Sequence, residues 1–264
     1  MVPSGRFSGK LGIVDADSLH PGPLTRRLGQ RVEFAEEVDS TNDQAVAALR
    51  GGRLPEGTAF VAARQSRGKG TGGNRWYSSD DQGLWTSIIL QEPVRHHPLS
   101  FLPCIALVDV LRDGFGIAAH LKWPNDVLVG DRKLAGCLVE SQQQPDGGTA
   151  WVLGLGVNVN QTCFEPPIAD IAVSMRMVTG ATHRRSELFR ALVARMEELY
   201  DDERSLVERW RELTEMLGRR VRLRRDGRSV LVTALDLTAE GHLQVLREDG
   251  EREEWLARVE FEVE

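Results

Sequence analysis

Apolar and polar positions follow two periods along the chain, and the change from one to the other outlines the architecture. Val32 and Phe34 alternate with polar neighbours as in a strand, and residues 39–42, Asp-Ser-Thr-Asn, supply N-cap chemistry for a short helix ending at Gly51 and Gly52. Residues 58–63 predict a strand running into a polar, glycine-rich loop at 65–74. Residues 84–90, Leu-Trp-Thr-Ser-Ile-Ile-Leu, are almost continuously apolar, which predicts a central strand buried on both faces. Leu99, Leu102, Ala106 and Leu111 then recur at helical spacing, with Pro98 where a first turn tolerates proline. Strands are predicted at 117–122, 126–129, 134–142 and 149–158, the third entered by a tight turn at Asp131 and Arg132 and paired with the fourth.

Between 183 and 217 the period is helical again. Leu188, Leu192, Met196 and Leu199 form one stripe, which Leu206, Trp210, Leu213 and Leu217 continue until Gly218 stops it. The remainder reads as short strands with turns at Asp226-Gly227, Glu240-Gly241 and Asp249-Gly250. The pattern predicts an N-terminal extension (1–30) with little to seed a core, a mixed α/β unit (31–217) and a small barrel-like β module (218–264). No internal repeat is visible.

Composition narrows the function classes. Lys and Arg number 33 against 39 Asp and Glu, a net charge of −6, which argues against a general nucleic-acid binder. Three cysteines far apart in sequence, Cys104, Cys137 and Cys163, exclude a disulfide scaffold and a CxxC site and suit a reducing cytoplasm. No apolar run approaches the ~20 residues that span a bilayer, and the first residues lack the apolar core of a signal peptide.

Chemistry concentrates in a few segments. Residues 68–73, Gly-Lys-Gly-Thr-Gly-Gly, match GxGxxG formally, but they lead into poor helix text, whereas a dinucleotide loop must open a helix. No GxxxxGK[ST] occurs. What remains is a positively charged, glycine-rich segment followed by Trp76. Its backbone N–H groups suit an anion nest, and glycine content alone leaves a plain exposed loop equally open. Lys122, Asn125 and Asp126 surround Pro124 at a strand end, Lys133 starts a strand beside a turn, and residues 154–160 are small enough for a ligand to approach closely.

Taken in order, Ser40-Thr41-Asn42, Gln65 with GKGTGGNRW (68–76), KWPND (122–126), KLAGCLVE (133–140) and GLGVNVN (154–160) resemble the biotin protein ligases of the biotin/lipoate ligase family. Ala172-Val173-Ser174-Met175 resembles the family's Ala-Thr-Ser-Leu segment. The resemblance implies an α+β fold: a mixed β-sheet catalytic domain flanked by helices, followed by a small SH3-like β-barrel domain. It implies ATP-dependent activation of biotin to biotinyl-5′-adenylate, with Mg²⁺, and transfer to a lysine of a biotin carboxyl carrier protein. Lys133 would be the catalytic cation at the biotin carboxyl and α-phosphate. Ser40, Thr41, Asn42, Gln65, Gly68, Lys69, Gly70, Thr71 and Gly136 would bind biotin with it. Lys69, Trp76, Asn125 and Asn158 would hold the adenylate, Trp76 by stacking and Asn158 at the adenine edge. Lys122 and Asp126 would be catalytic beside Lys133, with Asp126 and Asn125 organising Lys122, Mg²⁺ or the incoming lysine, and no metal ligands are assigned.

Family loops commonly carry three arginines where this chain has Lys69, Thr71 and Asn74, which implies looser retention of the adenylate. Thirty N-terminal residues are too few for the winged helix of the family's repressors, so a ligase without DNA binding is expected, outside any membrane. Strands 133–142 and 149–158 offer an edge for a homodimer. Two further classes stay open at this stage: a lipoate or octanoate transferase of the related fold, and a biotin sensor without chemistry. Arg219, Arg220, Arg222, Arg224, Arg225 and Arg228 either attract an acidic carrier or pair with the acidic stretch 248–264; cross-strand pairing is the preferred reading.

Overall fold

A computed structural model describes residue 20 and residues 22–52, 54–91, 97–144, 147–225, 228–256 and 260–263. Strand β1 (Val32–Val38) leads into helix α1 (Thr41–Arg50), then β2 (Ala59–Gln65) and β3 (Leu84–Gln91). Helix α2 (Phe101–Phe115) precedes β4 (Ala119–Lys122), β5 (Asp126–Val129), β6 (Arg132–Gln143) and β7 (Thr149–Val157). Helices α3 (Met175–Thr179), α4 (Arg185–Asp201) and α5 (Leu206–Leu213) follow, then β8 (Arg220–Arg225), β9 (Arg228–Leu237), β10 (Leu243–Arg247), β11 (Arg252–Trp255) and β12 (Glu260–Val263).

The first seven strands form one sheet in the order β1-β2-β3-β7-β6-β5-β4. Only β1 and β2 are parallel, because α1 crosses over between them; the other neighbours are antiparallel. The expected mixed sheet flanked by helices is present. β3 is interior and all but its last residue are buried, as its apolar run requires. On one face lies α2, buried along most of its length, with α4 and α5 packed behind it and Phe101 stacked on Trp210 at 3.8 Å. On the other, Ala45 and Leu49 of α1 pack on Ile89 and Val152.

Strands β8 to β12 form a second, antiparallel sheet in the order β11-β10-β9-β8-β12. No ladder joins β11 to β12 among the described residues, so the C-terminal module has the expected strands without barrel closure. It is bound to the first sheet through Trp123, whose Nε1–H donates to the Gly241 carbonyl at 2.9 Å. The arginines of β8 fit the pairing reading. Arg222 and Arg224 lie opposite Glu262 and Glu260 in register, and Arg220 contacts Glu248 at 2.6 Å. Arg219 instead faces Glu215 at 3.6 Å. The side chains of Arg225 and Arg228 lie outside the described residues.

Four local expectations change. Residues 1–19 and 21 lie outside the described residues, but 22–30 do pack on the core: Leu28 is fully buried, and Glu197 accepts the backbone N–H groups of Arg26, Arg27 and Leu28. Sequence composition hid this because the anchor is a carboxylate about 170 residues away. The long helical stretch is two helices broken at 202–205, where Ser205 caps α5 through Val207 N–H. Helix α2 starts at Phe101, so Pro98 lies ahead of it and accepts the Phe101 N–H on its carbonyl. Ser40 is the N-cap residue of α1 but makes no side-chain capping bond. Among the described residues no helix is long and apolar enough to cross a membrane.

Candidate active site

A cleft of about 450 Å³, measured to its open mouth, lies where α1, the 65–76 loop and strands β3, β6 and β7 converge. Ser40, Thr41, Asn42, Gln65, Lys69, Gly70, Thr71, Trp76, Asn125, Lys133 and Gly136 all line it. Gly68, Lys122, Asp126 and Asn158 do not. Segments more than a hundred residues apart thus meet in one depression, as the assembled motifs require.

Lys133 is aimed by a β-bulge. Val127 faces Ala135, but the next residue, Leu128, faces Lys133, so β6 carries one extra residue at this point. In a regular strand, positions 133 and 136 fall on opposite faces; the bulge lets the Lys133 side chain lie over Gly136. A Cβ there would meet Lys133 Cε at 2.9 Å, so glycine leaves the ammonium its room. The backbone of Lys133 is stitched on its other side to Ile171 and Val173, at 2.7 and 3.0 Å. Its Nζ lies 2.7 Å from Asp126 Oδ1 and 5.3 Å from the centre of the Trp76 ring. Asp126 therefore touches the cleft wall through Lys133, although it does not line the cleft itself.

The glycine loop closes on itself and on α1. Gly70 N–H donates to Asn74 O at 2.7 Å, and Lys69 forms an ion pair with Asp43 in the first turn of α1. That bond, more than the burial opposing it, raises the Lys69 ammonium above its ordinary range. Gly68 has no room for a side chain: a Cβ would overlap Ser78 Oγ and meet Gln65 Nε2 at 3.1 Å. On the cleft floor, a Cβ at Gly154 would overlap the Asn42 amide and one at Gly156 the Trp76 indole. The two alternate glycines of β7 let both side chains lie flat on the strand. Trp76 Nε1 is buried there with no hydrogen-bond partner among the described residues, edge-on to Trp85 at 6.3 Å.

Residues 34–160 match the biotin/lipoate A/B protein ligase family, and residues 216–257 match the biotin protein ligase C terminal domain. Residues 34–160 belong to the biotin/lipoate A/B protein ligase family. The family is one of enzymes, the ligases. A bifunctional ligase/repressor of Bacillus spizizenii is 28% identical over 266 residues, covering 97% of this chain and 82% of that protein. A biotin–[acetyl-CoA-carboxylase] ligase of Mycobacterium tuberculosis is 28% identical over 252 residues, covering 88% and 92%. The biotin protein ligase of Aquifex aeolicus, solved in complex with biotin and ATP, superposes with a TM-score of 0.75 at 27% identity, covering 89% of this chain and all of that one.

The structure gives several motif residues supporting positions. Asn125 accepts the Cys137 N–H on its carbonyl at 2.9 Å and returns its amide to the Cys137 carbonyl at 2.6 Å, tying the KWPND turn to β6. Asn158 is buried and donates to the carbonyls of Val173 and Lys133, so its amide braces the Lys133 segment. Lys122 ends β4, opposite Asp126 in register. Burial, with a bond from Cys137 behind it, raises the Cys104 thiol well above its ordinary value, so it stays protonated under the cleft.

Trp85, Cys137 and Leu138 also line the cleft, and Ser78, Ser87 and Glu140 brace it; motif reading did not single these out. Ser87 had a signal: with Thr86 it puts hydroxyls into a mostly apolar central strand, and buried hydroxyls usually have partners; Ser87 has two, whereas Thr86 Oγ1 has none among the described residues.

Proposed function

We propose that the protein is a biotin protein ligase that makes biotinyl-5′-adenylate and passes the biotinyl group to a lysine of a biotin carboxyl carrier protein. The observation that carries this reading is the meeting of Lys133, Lys69 and the neutral polar set Thr41, Asn42 and Gln65 in one cleft.

A carboxylate is a poor electrophile, so activation must come first. The biotin carboxylate oxygen attacks the α-phosphorus of ATP, and pyrophosphate leaves with the electrons of the broken P–O bond. The acceptor amine then attacks the acyl carbon of the mixed anhydride, AMP departs, and the amine loses a proton to solvent. Both steps build negative charge on oxygen, where a fixed ammonium group stabilises most. Lys133 is that group: its ammonium has three N–H donors, so it can reach the substrate carboxyl and α-phosphate while its contact with Asp126 keeps the side chain aimed. The ring of Trp76 bounds the adenylate side. Lys69, on a loop whose glycines permit close backbone approach, covers the anhydride.

Among the described residues no group of three His, Cys, Asp or Glu is disposed to hold a metal ion, so Mg²⁺ is read as entering with the nucleotide, neutralising its phosphates. The test is incubation of the protein with biotin, Mg-ATP and a carrier domain. The expected result is a mass increase of one biotinyl group on the carrier, dependent on both small molecules. Calorimetric titration with biotin and lipoate in parallel separates the two chemistries of the family: heat from lipoate alone overturns the biotin reading.

A further inference from the structure

We propose that Asp43, in the first turn of α1, is a positioning residue for the glycine-rich loop: by holding Lys69 it keeps residues 69–75 against the cleft and slows escape of the activated intermediate. The retention rests on the ligase reading above; the tether rests on geometry.

Residues 69–75, Lys-Gly-Thr-Gly-Gly-Asn-Arg, contain no apolar side chain. All but Gly70 are exposed, so burial does not hold the segment in place. Its base is fixed by other means. Arg67 N–H donates to the Asp39 carbonyl at 2.9 Å, its guanidinium lies 3.2 Å from Asp39 Oδ2, and Trp76 N–H donates to the Gly68 carbonyl at 2.9 Å. Past that rung the segment bonds within the hairpin: Gly70 N–H to Asn74 O, Asn74 N–H to Thr71 O at 3.2 Å, and Arg75 over the Tyr77 ring at 5.3 Å. Among the described residues, the ion pair of Lys69 Nζ with Asp43 Oδ1 is the one polar side-chain contact that joins 69–75 to another element. Glu140 and Asp39 attract the same ammonium from further away. A hairpin held at its base and at one lateral point swings about the base when that point lets go.

The contact leaves Lys69 free to act. An ammonium group has three N–H donors and Asp43 occupies one, so Lys69 can meet the anhydride from a fixed position. Gly70 and Thr71, the next residues along the chain, line the cleft with it and are positioned by the same tether. The Lys69 and Asp43 side chains are 42% and 34% exposed. Solvent screening therefore limits the tether to a change of about two- to fivefold in loop opening. Asp43 also has a role that needs no lysine, because a carboxylate in a first turn favours the helix itself.

The test that separates the two roles is a double-mutant cycle on the full chain: wild type, Asp43→Asn, Lys69→Gln and the double variant. Each is digested briefly with a broad-specificity protease and the cuts are placed by mass. When opening is fast, cutting tracks the open population. Asp43→Asn is expected to raise cutting within 69–75 about two- to fivefold, to leave cutting at 202–205 unchanged, and to add nothing in the Lys69→Gln background. No rise, an equal rise in the Lys69→Gln background, or an equal rise at 202–205 each overturns the proposal, the last by reporting lost helix stability instead. In the absence of carrier, hydroxylamine trapping of the adenylate is expected to quicken about two- to fivefold in Asp43→Asn, while kcat of biotin-dependent ATP–pyrophosphate exchange stays within about twofold. Asp43→Glu keeps the charge and is expected to recover at least half of both changes. Unchanged trapping, or an Asp43→Glu protein as loose as Asp43→Asn, also overturns the proposal. A wild-type protein that makes no adenylate strikes the ligase reading instead, and the cutting cycle still decides the tether.

Discussion

Lys133 Nζ and Asp126 Oδ1 stand 2.7 Å apart, joined across a bulge that gives β6 one more residue than β5. The pair holds an ammonium group at the cleft wall before any substrate arrives, so its orientation costs little at the moment of reaction. Lys133→Ala is expected to leave biotin affinity largely intact and to lower adenylation by ~10²-fold or more, the usual scale for one electrostatic stabiliser. Biotin-dependent ATP–pyrophosphate exchange measures this, and near-normal turnover removes Lys133 from the role.

Thr71 lines the cleft as a neutral residue, at a position where the sequence resemblance implies an arginine. A missing cation weakens the hold on a phosphoanhydride. Thr71→Arg is expected to slow escape of the adenylate, read as reduced trapping of biotin by free hydroxylamine in the absence of carrier. Trapping at the wild-type rate counts against the loop as the retaining element.

Trp123, inside the KWPND segment, donates to the Gly241 carbonyl in the turn between β9 and β10. Trp123→Phe keeps the ring and removes the donor, leaving a buried carbonyl unpaired at about 1–3 kcal/mol of unfolding free energy. Gly241→Ala is expected to cost more. Its φ is +81°, which side chains rarely adopt, and a Cβ would meet Pro98 Cγ at 2.6 Å. Urea unfolding of the two variants checks the order, and equal midpoints with wild type refute the anchoring.

Glu197 ties residues 26–28 to α4. Burial works to raise its carboxyl, but the N–H groups of Leu28, Arg26 and Arg27, with the charge of Arg27, outweigh it and leave the group below its ordinary value of 4.5. A depressed carboxyl contributes stability above the unfolded value, and that contribution fades as pH falls below 4.5 through the folded one. Glu197→Gln is expected to flatten the part of the acid limb of stability against pH that Glu197 supplies, measured by denaturant unfolding. An unchanged limb shows that the docking has no acid sensitivity.

The elements were legible in sequence because their periods are local. The apolar run of β3, the stripes of α4 and α5 and the turn glycines each report on neighbours within a few residues. The site motifs were legible for the same reason: KWPND and KLAG are contiguous, and their chemistry is carried by residue type at fixed spacing. The docking of residues 22–30 was not, because it depends on a partner far along the chain.

The sequence by itself determined which side chains are available to the cleft and the order of strands and helices that carry them. Only the tertiary structure decided how they act together. An extra residue in β6 put Lys133 over Gly136, two alternate glycines in β7 received Asn42 and Trp76, and Glu140 came within hydrogen-bond reach of Asn42. Those relationships are set by sheet register and by the one-way donors and acceptors of buried groups, which exist only once strands distant in sequence lie side by side.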